Sequence, residues 1–154
     1  MLKEWFDCSE SQLELVSREI LKRSGGKPFW VFLEGPLGSG KSTLARSILE
    51  QVGVGKQAQG SPTFPIAYEY TLQYGSVFHI DLYRLDSEME VESAGILEYF
   101  SNPKNSMMVE WMSKFPKLKL ELIPEKNSEL KVFELQIEIS ENLLRKIKLK
   151  LLSL

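Results

Sequence analysis

Apolar positions recur along this chain in two rhythms. Between residues 9 and 26, Leu13, Val16, Ile20 and Leu21 fall at helical spacing and Gly25 and Gly26 supply a stop, while Ser9 and Gln12 form a capping-box pair; a helix is expected there. FWVFL, residues 29–33, is a short β-rich apolar run that ends in a glycine-rich turn, and residues 41–52 resume helical spacing through Leu44, Ile48 and Leu49. Strands are expected at 64–70, 76–80, 107–109, 117–123 and 130–139, and a helix at 87–100 that Gly95 breaks or kinks. Buried apolar strands alternating with helices indicate an α/β fold built on one mixed, mostly parallel sheet flanked by helices. The alternating VFELQIEI adds antiparallel strands toward the C-terminus. LLRKIKLKLLSL, residues 143–154, fits a closing helix or strand packed on the core better than a basic helix lying on a membrane.

Length and composition narrow this picture. The 154 residues fit a single domain, 1–154, and 43% hydrophobic with 26% charged residues is the balance of an ordinary globular protein. Nineteen Lys and Arg against 21 Asp and Glu leave a net charge of -2, so no global basic field gathers nucleic acid; no DNA contact is expected and any RNA contact is local or made through a partner. One cysteine, Cys8, and one histidine, His79, exclude an internal disulfide and a structural zinc cage built from cysteines and histidines. The acidic start, MLKEWFDCSE, does not resemble a secretory leader, and no long uncharged apolar window occurs, so a reducing cytoplasm is the expected compartment, without membrane association.

GPLGSGKS, residues 35–42, has the spacing G-x-x-x-x-G-K-[ST] and lies between the expected strand and helix. Its glycines let backbone N–H groups of roughly Gly38, Ser39, Gly40 and Lys41 curl around phosphate oxygens, and the following helix offers its positive end. Lys41 would reach the β- and γ-phosphates and Ser42 would coordinate Mg2+. A bare strand-to-helix turn would have little use for Lys41. The fold is thus expected to be that of a P-loop NTPase.

Such a loop holds phosphates without hydrolysing them, so carboxylates are needed for the metal and for water. Asp81 closes SVFHID and Glu110 closes SMMVE, which would place both on the sheet edge that carries the loop. For Asp81 a capping or turn role competes, and for Glu110 that of a solvated strand-end carboxylate. Thr63, in SPTF, could reach the metal or the γ-phosphate, or merely cap a Ser-Pro turn. Trp111 follows Glu110 and could pack under the site, meet a partner or belong to the core. His79 reads as a structural or supporting histidine in preference to a general base.

Together GPLGSGKST, SPTF, HIDLYRL and VEW, in that order, resemble the bacterial TsaE family, formerly called YjeE. The resemblance covers most of residues 30–111. It implies a small ATPase needed for the threonylcarbamoyl modification on adenosine 37 of tRNAs that read codons beginning with A. It also implies TsaD and TsaB as partners that carry the transferase chemistry, with tRNA met only through them and ATP hydrolysis resetting or regulating the complex. On this resemblance Lys41, Ser42 and Thr43 meet phosphates and metal, Thr63 lies in a switch segment, Asp81 and Glu110 serve Mg2+ and water with Trp111 beside them, and Ser9, Glu10 and Ser11 fall where family members bring their amino-terminal segment toward the nucleotide base. Pro36 departs from the family's usual Asp and implies a stiffer loop, its missing N–H lying outside the cradle.

A small-molecule kinase is the competing enzyme reading, but it needs extra cations, and of five arginines only Arg84 is expected near the site. A GTPase reading lacks an N-K-x-D string. A nucleotide-loaded docking module, in which hydrolysis is incidental, is the reading from another class. The lack of an evident arginine finger suggests slow hydrolysis by the isolated chain and completion of the site by a partner.

Overall fold

The computed structural model describes residues 1–55, 66–124 and 129–153. Strand β1, Leu2–Cys8, leads through a 3-10 turn at Glu10–Gln12 into helix α1, Leu13–Ser24. Gln12 Oε1 accepts the Ser9 N–H at 2.8 Å, satisfying one donor that would otherwise be left over at the helix start. Strand β2, Phe29–Glu34, runs into the glycine-rich loop and helix α2, Lys41–Gln51. The antiparallel pair β3, Ala67–Leu72, and β4, Gly75–Asp81, comes next, then short helices α3, Glu88–Ser93, and α4, Leu97–Ser101. Strand β5, Ser106–Glu110, helix α5, Pro116–Leu122, and strands β6, Lys131–Ile139, and β7, Arg145–Leu151, complete the order.

Among the described residues seven strands form one sheet in the order β1-β7-β6-β2-β5-β4-β3. The middle four, β6, β2, β5 and β4, are parallel, while β3 on one side and β7 and β1 on the other pair antiparallel. This is the mixed α/β sheet expected from the sequence, with β7 and β1 as its antiparallel extension. Strand β6 alternates like an exposed-edge strand yet joins β2 in parallel. Its Phe133, Leu135 and Ile137 face one core cluster, and Gln136 and Glu138 on the opposite face are exposed. The sheet separates two apolar clusters. One lies under α1 and α2 and contains Val31, Leu33, Leu44, Ile48 and Met108; the other, under α3, α4 and α5, contains Phe32, Phe78, Ile80, Val109 and Leu118.

One sequence expectation is corrected: residues 117–122 of the strand expected at 117–123 belong to α5. Pro116 at the first helical position fixes φ there and lacks only an N–H that the helix would leave unpaired, and the KLKLEL alternation is overridden by Leu118 and Leu122 packing one turn apart while Leu120 stays 75% exposed. The helix expected over 87–100 breaks at Gly95 as the sequence indicated, leaving two helices separated where Gly95 takes φ +72, a conformation that other residues rarely adopt. Residues 145–151 form a strand packed on the core, one of the two forms of the favoured reading. Arg145, Ile147 and Leu149 are buried, and the lysines between them take the other face. Strand β1 carries too few inward apolar side chains to signal itself; its pairing with β7 makes it a strand. The start of the strand expected at 64–70 lies outside the described residues, and its remainder is β3. Among the described residues no helix is long and apolar enough to cross a membrane.

Candidate functional site

Parallel pairing of β2, β5 and β4 puts their carboxyl ends on one edge of the sheet, with Glu110 in register with both Leu33 and Asp81. Alternation then settles the face. Phe78 and Ile80 enter the cluster beneath α3–α5, so His79 and Asp81 lie on the face that carries α2, where Val77 and Met108 pack. Glu110, two residues beyond Met108, lies on that same face. The glycine-rich loop leaves the end of β2 immediately beside them.

The loop folds tightly. Pro36 accepts the Ser39 N–H at 3.1 Å through its carbonyl, and Gly40 caps α2 with φ +108, with its carbonyl accepting the Leu44 N–H at 2.9 Å. A Cβ at Gly40 would lie 2.9 Å from Leu13 Cδ1, so the closeness of the loop to α1 requires glycine as much as its φ does. No side chain caps the start of α2, which leaves its first amides to an anion. Lys41 is 4% exposed and donates to Gly35 O at 2.5 Å and Pro36 O at 2.9 Å. Two of its three donors thus hold the loop and one remains for a ligand. Burial pulls the Lys41 pKa down from the usual lysine range, opposed by the carboxylates of Glu110, Asp81 and Glu34.

Ser42 Oγ donates to Glu110 Oε1 at 3.2 Å, and His79 Nε2 lies 2.7 Å from the same oxygen. His79 is wholly buried and Glu110 is 2% exposed. A buried histidine already committed to Glu110 is placed to orient that carboxylate, the supporting position read from the sequence. Asp81 Oδ1 accepts the Tyr83 N–H at 2.9 Å, the local turn contact that competed with a metal role, and the half-buried side chain stays within reach of the loop edge. Trp111 adopts φ +66, uncommon outside glycine, and this sets its ring 4.5 Å from the Lys41 ammonium and 5.0 Å from the Tyr83 ring. It therefore packs against the loop lysine as well as contributing to the core beneath α3–α5.

The donors suit a nucleotide with Mg2+. Among the described residues no group of three His, Cys, Asp or Glu side chains could hold a metal by itself. Magnesium, however, retains waters and takes one or two carboxylates plus substrate phosphates, and Ser42, Asp81 and Glu110 provide that kind of set. Next to the loop, Ser11, Glu10, Thr43 and Arg46 line a cleft of about 280 Å³ in which the segment before α1 faces α2. Gly38 and Ser39 complete the loop; Ser39 is fully buried and its Oγ has no partner among the described residues. Thr63 lies outside the described residues.

Two residues at the site escaped the sequence reading. Arg84 was expected to be the only arginine close by; it is exposed, and the arginine at the loop is Arg145, on β7, which donates to Ser39 O at 2.7 Å. Its signal was present in RKIKLKL, where the inward positions are Arg145, Ile147 and Leu149. Glu34 ends β2 and is 8% exposed; its carboxylate accepts the Ser113 N–H at 2.8 Å and the Ser113 hydroxyl at 2.6 Å, fixing the turn beyond Trp111. Burial pushes the Glu34 pKa up, against the opposing bonds from Ser113 and the charges of Lys119 and Lys41.

A crystal structure of Bacillus subtilis YdiB matches with a TM-score of 0.63 and 23% identity, covering 97% of this chain and 84% of that one, and shares its fold. The tRNA threonylcarbamoyladenosine biosynthesis protein TsaE of Haemophilus influenzae is 40% identical over 96 residues, 62% of this chain and 59% of that protein. The protein of the same description from Bacillus subtilis is 38% identical over 79 residues, 51% and 48% of the two chains. The chain thus spans about half the length of these curated relatives. The family model described as threonylcarbamoyl adenosine biosynthesis protein TsaE matches residues 8–147, which include the loop and strands β2 to β6, and the chain belongs to that family.

Proposed function

We propose that this protein is a P-loop ATP hydrolase that acts in tRNA threonylcarbamoyladenosine biosynthesis. The observation that carries the reading is the meeting of Ser42 with Glu110 at 3.2 Å on the sheet edge where Lys41 starts α2. A loop lysine, a helix-start hydroxyl and a strand-end carboxylate are the parts that phosphoryl transfer to water requires. Backbone amides at residues 38–41 and the remaining Lys41 donor would bind the β- and γ-phosphates of ATP. Ser42 and Asp81, with Glu110, would hold Mg2+, which supplies charge neutralisation across the phosphate oxygens when bound. Glu110, kept in orientation by His79, would also position water in line with the γ-phosphate. Thr63 would join the γ-phosphate side from its own segment, Thr43 the phosphates beside Ser42, and Ser11 the nucleoside side.

The proposed role is support of threonylcarbamoyl transfer to adenosine 37, made by the partners TsaD and TsaB. The protein would meet tRNA only through them, in the cytoplasm, and its hydrolysis would reset or regulate the complex. The arginine that touches the loop, Arg145, is spent on Ser39 O, Leu143 O and Glu10. That supports slow hydrolysis by the chain alone. Phosphate release from ATP and Mg2+, measured alone and with purified TsaB and TsaD, tests the reading. Stimulation that disappears in Glu110→Ala while ATP binding persists is the expected result. Full tRNA modification by that variant would favour a nucleotide-loaded docking module instead.

A further inference from the structure

We propose that Arg145 is a positioning residue for the phosphate loop, holding the Ser39–Gly40 peptide with its N–H turned to the phosphate side; this rests on reading the loop as a nucleotide site. The guanidinium is buried, 5% exposed, and it comes from β7, two strands away from the strand that carries the loop. Its Nε donates to Ser39 O at 2.7 Å, its Nη1 to Leu143 O at 3.1 Å and its Nη2 to Glu10 Oε2 at 3.1 Å. The planar fork therefore has a fixed direction, set at three points.

The peptide that it grips needs an anchor. Ser39 is followed by Gly40 at φ +108, and glycine takes either sign of φ at little cost, so nothing in the local backbone prevents this peptide from turning over. A trans peptide carries its C=O and N–H in opposite directions. Holding Ser39 O toward β7 aims the Gly40 N–H away from β7, and a flipped peptide would present a carbonyl to an anion. The contact is close: a Cβ at Gly40 would sit 3.3 Å from Arg145 Nε. Strand β1 makes the arrangement possible, because its register shifts between Trp5 and Cys8, where Asp7 takes φ +50, and the chain then turns to bring Glu10 over the guanidinium. Arg145 thus ties the loop to the segment that lines the cleft beside Thr43.

The test compares wild type, R145M and R145K by amide hydrogen exchange over residues 35–44 without nucleotide, and by steady-state hydrolysis with ATP and Mg2+. In R145M, loop exchange is expected to accelerate about tenfold or more, and KM for ATP to rise about tenfold, with kcat changed by less than about threefold. R145K, which retains a cation and a donor but loses the fork, is expected to fall between the two. A purely structural role would lower kcat with the folded fraction and leave KM alone, and that result overturns the proposal, as does unchanged loop exchange. Should R145M fail to fold, R145K decides by the same two readouts. If wild type takes up no ATP, the nucleotide reading fails by itself, and loop exchange alone upholds or overturns the anchor.

Discussion

At the residue scale the site is a set of buried charges that offset one another. On the proposed reading Lys41 carries the point charge for the phosphates, and its burial is tolerable because the charges of Glu110, Asp81 and Glu34 oppose it. Lys41→Ala is expected to weaken ATP binding by about tenfold or more; titration calorimetry giving wild-type affinity would count against the loop assignment. Glu34 tests the electrostatics from the other side. Its folded pKa is raised, so the folded chain holds that proton more tightly than the unfolded chain does. The stabilisation is present at acid pH and is lost as pH rises through the folded value. Glu34→Gln cannot lose it, and at neutral pH the variant is expected to be at least as stable as wild type within about 1 kcal/mol. Urea unfolding of the two proteins across pH should show their stabilities converging on acidification, and parallel curves would show that Glu34 ionises normally. What the sequence revealed at this scale were residues whose neighbours are local: Lys41 and Ser42 within one loop, and Glu110 at the end of an apolar run. Arg145 and Glu34 went unread because the partners that give them a purpose, Ser39 and Ser113, are 106 and 79 positions away.

At the element scale, period decided some assignments and contacts decided others. The run in α5 alternates as a strand would, and only its packing reveals a helix. The two possibilities predict different mutants. In a strand Leu118, Leu120 and Leu122 share a face; in the helix Leu118 and Leu122 do, with Leu120 in solvent. Leu118→Ala is expected to cost about 2–3 kcal/mol and Leu120→Ala under about 0.5 kcal/mol, checked by denaturant unfolding. Equal losses would refute the helical assignment. The helix break between α3 and α4 was legible because a single glycine carries it. Strand β1 was not, since its few inward side chains reach only the edge of the core and its hydrogen bonds come from β7.

At the scale of the whole molecule, the parallel centre of the sheet gathers into one edge what lies 76 positions apart in the chain, from Glu34 to Glu110. A ligand that binds this edge only when it is assembled must stabilise the fold. ATP with Mg2+ at about 100 times its dissociation constant is expected to add about 2.7 kcal/mol, a rise in Tm of roughly 5–10 °C, and about half of that or less in Lys41→Ala; a thermal melt with no shift in wild type would contradict nucleotide binding. By itself the sequence determined the strand-loop-helix, the two carboxylates at strand ends, and the α/β class, because turn chemistry, backbone freedom at glycine and hydrophobic period act over a few residues. Only the tertiary structure decided that β6 runs parallel to β2, that residues 116–122 form a helix, and that a β7 arginine reaches the glycine-rich loop. Those outcomes depend on which surfaces meet across the sheet, and that pairing is an energy shared by distant segments and written in none of them alone.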